Sequence, residues 1–183
     1  SCIDKFYGCT DPDYSEYSFD ANVDDGSCAS IFVDIGDEVL GGIIFYVDPD
    51  SSFALVLAKE NVQESMWGCE GTDIPGADGT ELGAGLQNTL DIIAANCNLG
   101  NNSAQYCMDY EHQGYDDWYL PSYDELTLAF SVLIDIPNLI SDAYNTSSEY
   151  SDPNNYNYCS NYFNQHINKT DPNRVRPIRT HFF

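Results

Sequence analysis

The stretch that most limits what this chain can fold into is its first 28 residues. Gly8-Cys9-Thr10-Asp11-Pro12 opens a unit that Asp24-Asp25-Gly26-Ser27-Cys28 closes, and the interval is crowded with Asp, Asn, Ser and Tyr. So few aliphatic groups cannot build a core, so a cross-link, a metal or both must hold the unit together. Ser1-Cys2 repeats Ser27-Cys28 at a distance of 26 positions. That period is the mark of a repeat, and it places residue 1 just inside the end of an earlier copy in a longer extracellular array.

The unit also carries oxygen ligands at regular spacing. Asp20, Asn22 and Asp24 alternate like positions 1, 3 and 5 of a calcium loop, and Gly26 supplies a sharp turn. Asp11, Asp13 and Asp25 add carboxylates, so the six residues form a candidate Ca2+ site with a structural role. The pattern departs from an EF-hand: glycine stands one place late, and no Glu occupies position 12. The competing reading is that these Asp and Asn residues only make turns inside a disulfide-closed loop.

Charge narrows the partners. Six Lys and Arg face 30 acidic residues, for a net charge of −24, which opposes binding to nucleic acid or to an anionic membrane. Cations, neutral polar ligands and basic partners remain, as does solubility in a saline setting. Seven cysteines point to an oxidising compartment. No Cys-x-x-Cys pair exists and His occurs three times, so zinc has little support. The odd count leaves one thiol over: Cys2 pairs with an upstream copy or with Cys9. No apolar run approaches 18 residues, so no transmembrane helix is expected.

Composition changes near Ala29. Ile43–Val47 and Phe53–Ala58, separated by Asp48-Pro49-Asp50-Ser51-Ser52, predict a hairpin. Leu86, Leu90, Ile93 and Ala94 predict one helix, which Cys97 closes. Ser122 with Glu125 is a capping box that starts a second, with Leu126, Phe130 and Leu133 on its apolar face. Short Tyr-, Asn- and Ser-rich strands follow Pro137. Helices grouped between strands, without βαβ alternation, argue for an α+β fold. The domain plan is a repeat at 1–28, a linker at 29–35 and a head at 36–183. Four of the six basic residues, Lys169, Arg174, Arg176 and Arg179, crowd the C-terminus, where they are expected to pair with the acidic body.

Two resemblances cover nearly the whole chain. The Gly-Cys-Thr-Asp-Pro and Asp-Asp-Gly-Ser-Cys ends resemble a short repeat of secreted surface proteins in marine and gliding bacteria and in marine phages. They are loosely similar to thrombospondin type 3 calcium repeats. Residues 36–182 resemble the C-terminal domain family named after the Lcl collagen-like adhesin. The resemblance is carried by Gly41-Gly42-Ile43-Ile44-Phe45-Tyr46-Val47, Trp67-Gly68-Cys69, Gly85-Leu86-Gln87-Asn88-Thr89, Gly114-Tyr115-Asp116-Asp117-Trp118-Tyr119-Leu120-Pro121-Ser122 with Glu125-Leu126, Ser147-Ser148-Glu149, and Arg174-Val175-Arg176-Pro177-Ile178-Arg179. It implies a C-type-lectin-like fold, akin to the formylglycine-generating enzyme scaffold, in extracellular adhesion or receptor-binding proteins. Asn145-Thr146 replaces the aromatic residue usual before Ser-Ser-Glu. Sulfated glycans, associated with Lcl, are not carried over because this charge would repel them.

Within the head, the expected cysteine pairs are Cys97–Cys107 and Cys69–Cys159, beside Cys9–Cys28 in the repeat; six cysteines permit 15 arrangements. Trp67, Trp118 and Tyr119 are either core or a sugar-stacking surface, and the family's regular use of this run before a helix favours core. Tyr144, Tyr150, Asn154, Tyr156 and Tyr158 have the composition of adaptable recognition loops and are the candidate ligand contacts; otherwise they are exposed strand residues. Asp152-Pro153-Asn154 and Asp171-Pro172-Asn173 read as turns. His112, His166 and His181 lack catalytic contexts, and the reactive cysteine pair of a formylglycine-generating enzyme has no counterpart, so no enzyme is expected. The sequence therefore predicts a secreted or virion-surface recognition protein whose partner is a glycan or a surface protein, with homo-oligomers and upstream repeats as further contacts. A filament, sheath or tail subunit without a free ligand is the alternative.

Overall fold

The computed structural model describes residues 4–12, 14, 16–28, 32–50, 52–97, 102–133, 143–150, 156–160 and 166–183, with the backbone alone at 156–160 and His166. The fold is α+β. In the N-terminal unit, β1 (Tyr7–Gly8) pairs in parallel with β2 (Val23–Asp24). Cys9 is buried and bonded to Cys28 with Cα atoms 4.8 Å apart, as the sequence suggests. Asn22 ties the two ends: its Oδ1 accepts from Phe6 N and its Nδ2 donates to the Asp4 carbonyl. Closing a loop of this length removes about 3 kcal/mol of unfolded-chain entropy, which matters in a segment with almost no core.

The expected hairpin forms. β3 (Ile43–Val47) and β4 (Phe53–Leu57) pair antiparallel with a bulge between Ile44 and Tyr46, and β8 (Ile178–Phe182) adds to the other edge of β4. The strands are apolar at successive positions rather than alternating because both sheet faces are covered. Ile43, Phe45, Leu55, Leu57 and Ile178 pack on helical residues Leu126, Ala129 and nearby Leu133, while Ile44, Ala54 and Val56 pack around Trp118. Gly42 is required here, because a Cβ would drive into the Leu57 carbonyl.

Among the described residues three helices follow: α1 (Ala84–Ala95), α2 (Ser103–Met108) and α3 (Tyr123–Val132). The capping box of α3 is formed in full: the Ser122 side chain accepts from Glu125 N, and the Glu125 carboxylate accepts from Ser122 N at 2.7 Å. α1 lies where its periodicity predicts, but with its faces exchanged. It buries Gly85, Asn88, Thr89 and Ile92 and leaves Leu86 and Leu90 exposed. The cause is close approach. Gly85 sits against the Tyr119 ring and the Glu125 carboxylate with no room for a Cβ. Thr89 Oγ1 meanwhile serves both the Leu120 carbonyl and the Leu120 amide, each at 3.1 Å.

The head's disulfide pattern also differs from expectation. Cys69 is bonded to Cys97, Cα to Cα 5.0 Å, which rules out both Cys97–Cys107 and Cys69–Cys159. Asn96, in the left-handed region, turns the chain at the end of α1, and Cys97 packs against the cluster of Trp67, Cys69 and Ile92. Cys107 is a free, buried thiol on the inner face of α2, beside Ala104 in the same cluster.

A second antiparallel sheet holds β5 (Tyr144–Glu149), β6 (Tyr156–Ser160) and β7 (His166–Asn168). Residues 173–178 run between the parts as a spine. Their backbone bonds Ser65, Val62 and Ala58 on one side, Asn145 on another, and Tyr119 at the end. The Arg-Val-Arg-Pro-Ile-Arg run is therefore central, which its position near the C-terminus does not disclose.

Candidate functional site

The acidic body is organised around buried charges. Lys169 donates to Glu149 and, at 2.8 Å, to the Thr72 carbonyl, and its ammonium lies 4.4 Å from the centre of the Trp67 ring. The two side chains are 1% and 3% exposed. The other Glu149 oxygen accepts from Ile74 N at 2.7 Å, so every strong group at this centre is satisfied. Glu125 is a second buried carboxylate. It accepts from Ser122 N at the start of α3 and, at 2.8 Å, from Gly83 N at the start of α1. Burial is the largest influence on it and raises its pKa, although the amides of Ser122, Gly83 and Gly85 pull the other way.

The expected pairing of the C-terminal cations holds for Lys169 with Glu149, for Arg179 with Asp117 and, at 3.9 Å on the surface, for Arg174 with Glu64. Arg176 instead reaches Asn61 Oδ1 at 2.6 Å and the Ala58 carbonyl at 2.9 Å, inside the body.

Arg179 positions a surface loop whose lining suits a small polar ligand. Its guanidinium grips both Asp117 oxygens at 2.6 and 2.9 Å, donates to the Leu40 carbonyl, and lies 3.9 Å from the centre of the Tyr115 ring. Gly41 backs this ring from below, where a Cβ would come within 2.6 Å. Above it, His112 and Tyr115 exchange two backbone bonds of 3.0 Å across Gln113 and Gly114, both with positive φ, the geometry of a two-residue hairpin turn. His112 stacks on Tyr110 at 5.9 Å with planes 6° apart, and Tyr110 meets the edge of Trp118 at 5.3 Å. Burial raises the Tyr110 pKa, with Glu60 adding to the effect.

Glu111, His112, Gln113, Gly114, Tyr115 and Asp116 thus line an open cleft of about 310 Å³. That is near the lower end of ligand-site volumes, roughly 300–1,000 Å³. Glu111, Gln113 and Asp116 are exposed, so their carboxylates and carboxamide are free to accept and donate hydrogen bonds, beside partly exposed aromatic rings. The chemistry suits hydroxyl-rich, uncharged groups and opposes sulfate or phosphate.

The sequence-predicted site residues are placed differently. Tyr144 is not a ligand contact: it is fully buried, meets Phe130 edge-on at 5.1 Å, and its hydroxyl accepts from Asn61 at 3.3 Å. Tyr150 is half-buried at the end of β5. Tyr156 and Tyr158 lie on the backbone of β6, with side chains outside the described residues, as is Asn154 entirely. Trp67, Trp118 and Tyr119 are core, each with its polar atom satisfied: by the Thr146 carbonyl, the Tyr115 carbonyl and the Thr180 hydroxyl. Asp171-Pro172-Asn173 is a turn closed by the Asn173 amide on the Asp171 carbonyl; Asp152-Pro153-Asn154 lies outside the described residues.

For the calcium residues, Asn22 spends its Oδ1 on Phe6 N, while Asp24 and Asp25 each accept the amide two residues on. The Ser27 bonds hold the Asp25 pKa below its usual value. Asp13 lies outside the described residues, and among the described residues no three His, Cys, Asp or Glu side chains converge as a metal set. Asp24 and Asp25 thus each cap a local turn.

The clamped turn at 111–116 was absent from the sequence-derived site. Its signal is Gln113-Gly114 between His112 and Tyr115, a turn dipeptide at the start of the longest family-like run, which begins at Gly114. No family model matches the chain, and comparison with curated proteins finds no similar sequence.

Proposed function

We propose that this chain is an extracellular recognition protein. Its head, of C-type-lectin-like fold on the resemblance of residues 36–182, binds a partner without covalent chemistry, and the disulfide-closed unit at 4–28 serves as its stalk. The observation that carries the reading is the cleft at 111–116. An open surface loop is held in a defined shape from beneath by Arg179, Asp117, Tyr115 and Gly41, while the groups facing solvent are hydrogen-bonding and aromatic. Rigid support under an adaptable polar surface is what a binding loop requires. A neutral glycan fits this lining: carboxylate and carboxamide oxygens take sugar hydroxyls, and a ring face packs on the sugar's C–H face.

Two disulfides fit an oxidising, extracellular setting, and among the described residues no helix is long and apolar enough to cross a membrane. Calcium belongs to this proposal only as a stabiliser of the N-terminal unit, and it rests on the spacing of Asp20, Asn22 and Asp24. The test of the function is a glycan panel probed with the whole chain. Neutral glycans are expected to bind and sulfated ones to be rejected, with Asp116→Asn and Gln113→Ala weakening binding while the melting temperature holds. Binding that survives both substitutions removes the cleft from the site. A panel without any hits shifts the weight to the structural alternative, a packing subunit without a free ligand.

A further inference from the structure

The exchanged faces of α1 leave an apolar stripe where a monomer gains nothing from one. Leu86 and Leu90 stand four apart on the outer side of α1, one turn above the other, and Leu82 lies in the turn just before the helix; the three are 43%, 42% and 41% exposed. Isolated exposed leucines need no explanation; two stacked on a helix that buries Gly85, Asn88, Thr89 and Ile92, with a third in the turn that leads into it, do.

The stripe borders a second open cleft, of about 450 Å³, lined by Gly76, Gly79, Glu81, Leu82, Gly83, Ala84, Gln87 and Asn88. Three glycines keep its walls low, and Gly83, with φ of 91°, has nothing within 4 Å of a Cβ position. Asn88 is 2% exposed and donates to the Gly79 carbonyl and Ser147 Oγ, but among the described residues no donor reaches its Oδ1. A buried amide oxygen left without a donor is costly. Here it lines a cleft from which a ligand donor can complete it.

Charge identifies the ligand. No Lys or Arg occurs between Lys59 and Lys169, an interval that contains all three helices. Glu81 and Asp78 are exposed near the cleft, and Asp91 lies on α1 one turn beyond Gln87, whose amide it accepts. The amides of Gly83 and Gly85 are already engaged by Glu125, so the start of α1 offers nothing to an anion. The face therefore combines apolar contact, negative charge and an open acceptor.

We infer that this face is a docking site for a basic amphipathic protein segment. The segment lays apolar side chains along Leu82, Leu86 and Leu90 and places a Lys or Arg head in the cleft, between the Glu81 carboxylate and Asn88 Oδ1. This goes beyond the glycan cleft: it names a protein partner, on a different surface of the same recognition head. Charge complementarity decides the occupant. A second copy of this chain, itself at −24, would bring acid to acid.

The test uses the full chain and three fluorescent helical peptides of equal length: Leu/Lys, Leu/Glu and Gln/Lys. The Leu/Lys peptide is expected to bind, with the other two at least tenfold weaker. Leu86→Gln with Leu90→Gln, and separately Glu81→Lys, should each weaken it by about tenfold, whereas Asp50→Lys, a remote charge change, should not. Equal binding of the Gln/Lys peptide, or indifference to the α1 substitutions, overturns the proposal. So does sedimentation showing that the stripe joins two copies of the chain, or Leu86-dependent binding to neutral phosphatidylcholine vesicles. Glycan binding by the double leucine variant is expected unchanged, so failure here and failure of the glycan reading are told apart.

Discussion

Removing Lys169 from the buried centre beneath Trp67 gives the sharpest stability prediction. In Lys169→Met the Glu149 carboxylate, 3% exposed, keeps the Ile74 amide but loses its ammonium, and the Thr72 carbonyl loses its donor. Breaking one side of a buried pair costs roughly 3–5 kcal/mol, because the remaining charge stays desolvated. Glu149→Gln alone should cost a similar amount for the mirrored reason. The double variant behaves differently. Methionine fills the lysine's stem volume against Trp67, glutamine retains an acceptor for Ile74, and the main defect left is the Thr72 carbonyl, about 1–2 kcal/mol. The singles should therefore be non-additive by several kcal/mol. Urea unfolding followed by near-UV circular dichroism measures all four corners, with the slope m confirming a common unfolding transition. Additive costs, or a single substitution below about 1 kcal/mol, would refute the claim that this pair is buried and mutually dependent.

Three further outcomes follow from named contacts. Burial raises the Glu125 pKa in the fold, so the native state holds its proton where the unfolded chain has released it. Its contribution to stability falls as pH rises from the ordinary carboxylate range through the raised value, and Glu125→Gln should flatten that part of the melting-temperature profile relative to wild type. Non-reducing peptide mapping should recover a Cys69–Cys97 linked fragment, with Cys107 unreactive to iodoacetamide until denaturant is added, because burial raises its thiol pKa well above the usual value and shields it; rapid labelling of the native chain would contradict this. If calcium stabilises the N-terminal unit, chelator should lower the melting of that unit. An unchanged curve with no metal found would leave Asp20, Asn22 and Asp24 as turn formers only.

Some of this architecture was readable because its causes are local. The capping box at Ser122 and Glu125 and the apolar strands around Asp48-Pro49-Asp50 specify α3 and the hairpin within a few residues. α1 was readable in place but not in orientation. Its sequence carries two stripes at helical spacing, Leu86 and Leu90 against Gly85, Asn88, Thr89 and Ile92, and hydropathy selects the first. The body selects the second, because only glycine fits beside Tyr119 and only Asn and Thr satisfy the backbone there. α2 is too short for periodicity to register. Its available signal was Asn102 three residues before Gln105, whose amide Asn102 caps. The cysteine pairing depends on α2, which turns Cys107 inward while Cys97 bends back to Cys69. Tyr144 looked like a recognition residue from its polar neighbours, yet Asn145, Thr146, Ser147 and Ser148 are themselves buried, with Asn145 bonded to Ser65 and Ser103. The clamp of Arg179 on Asp117 and Tyr115 joins residues more than 60 positions apart, beyond any local pattern.

The central claim is that the clamped turn at 111–116 binds a neutral, hydroxyl-rich ligand. Calorimetric titration of the strongest neutral glycan from the panel into the wild-type chain and into Asp116→Asn tests it directly. Saturable 1:1 binding, at least about fivefold weaker in the variant at equal melting temperature, is the predicted result. Heats that are absent for every glycan, or unchanged by the substitution, would contradict it.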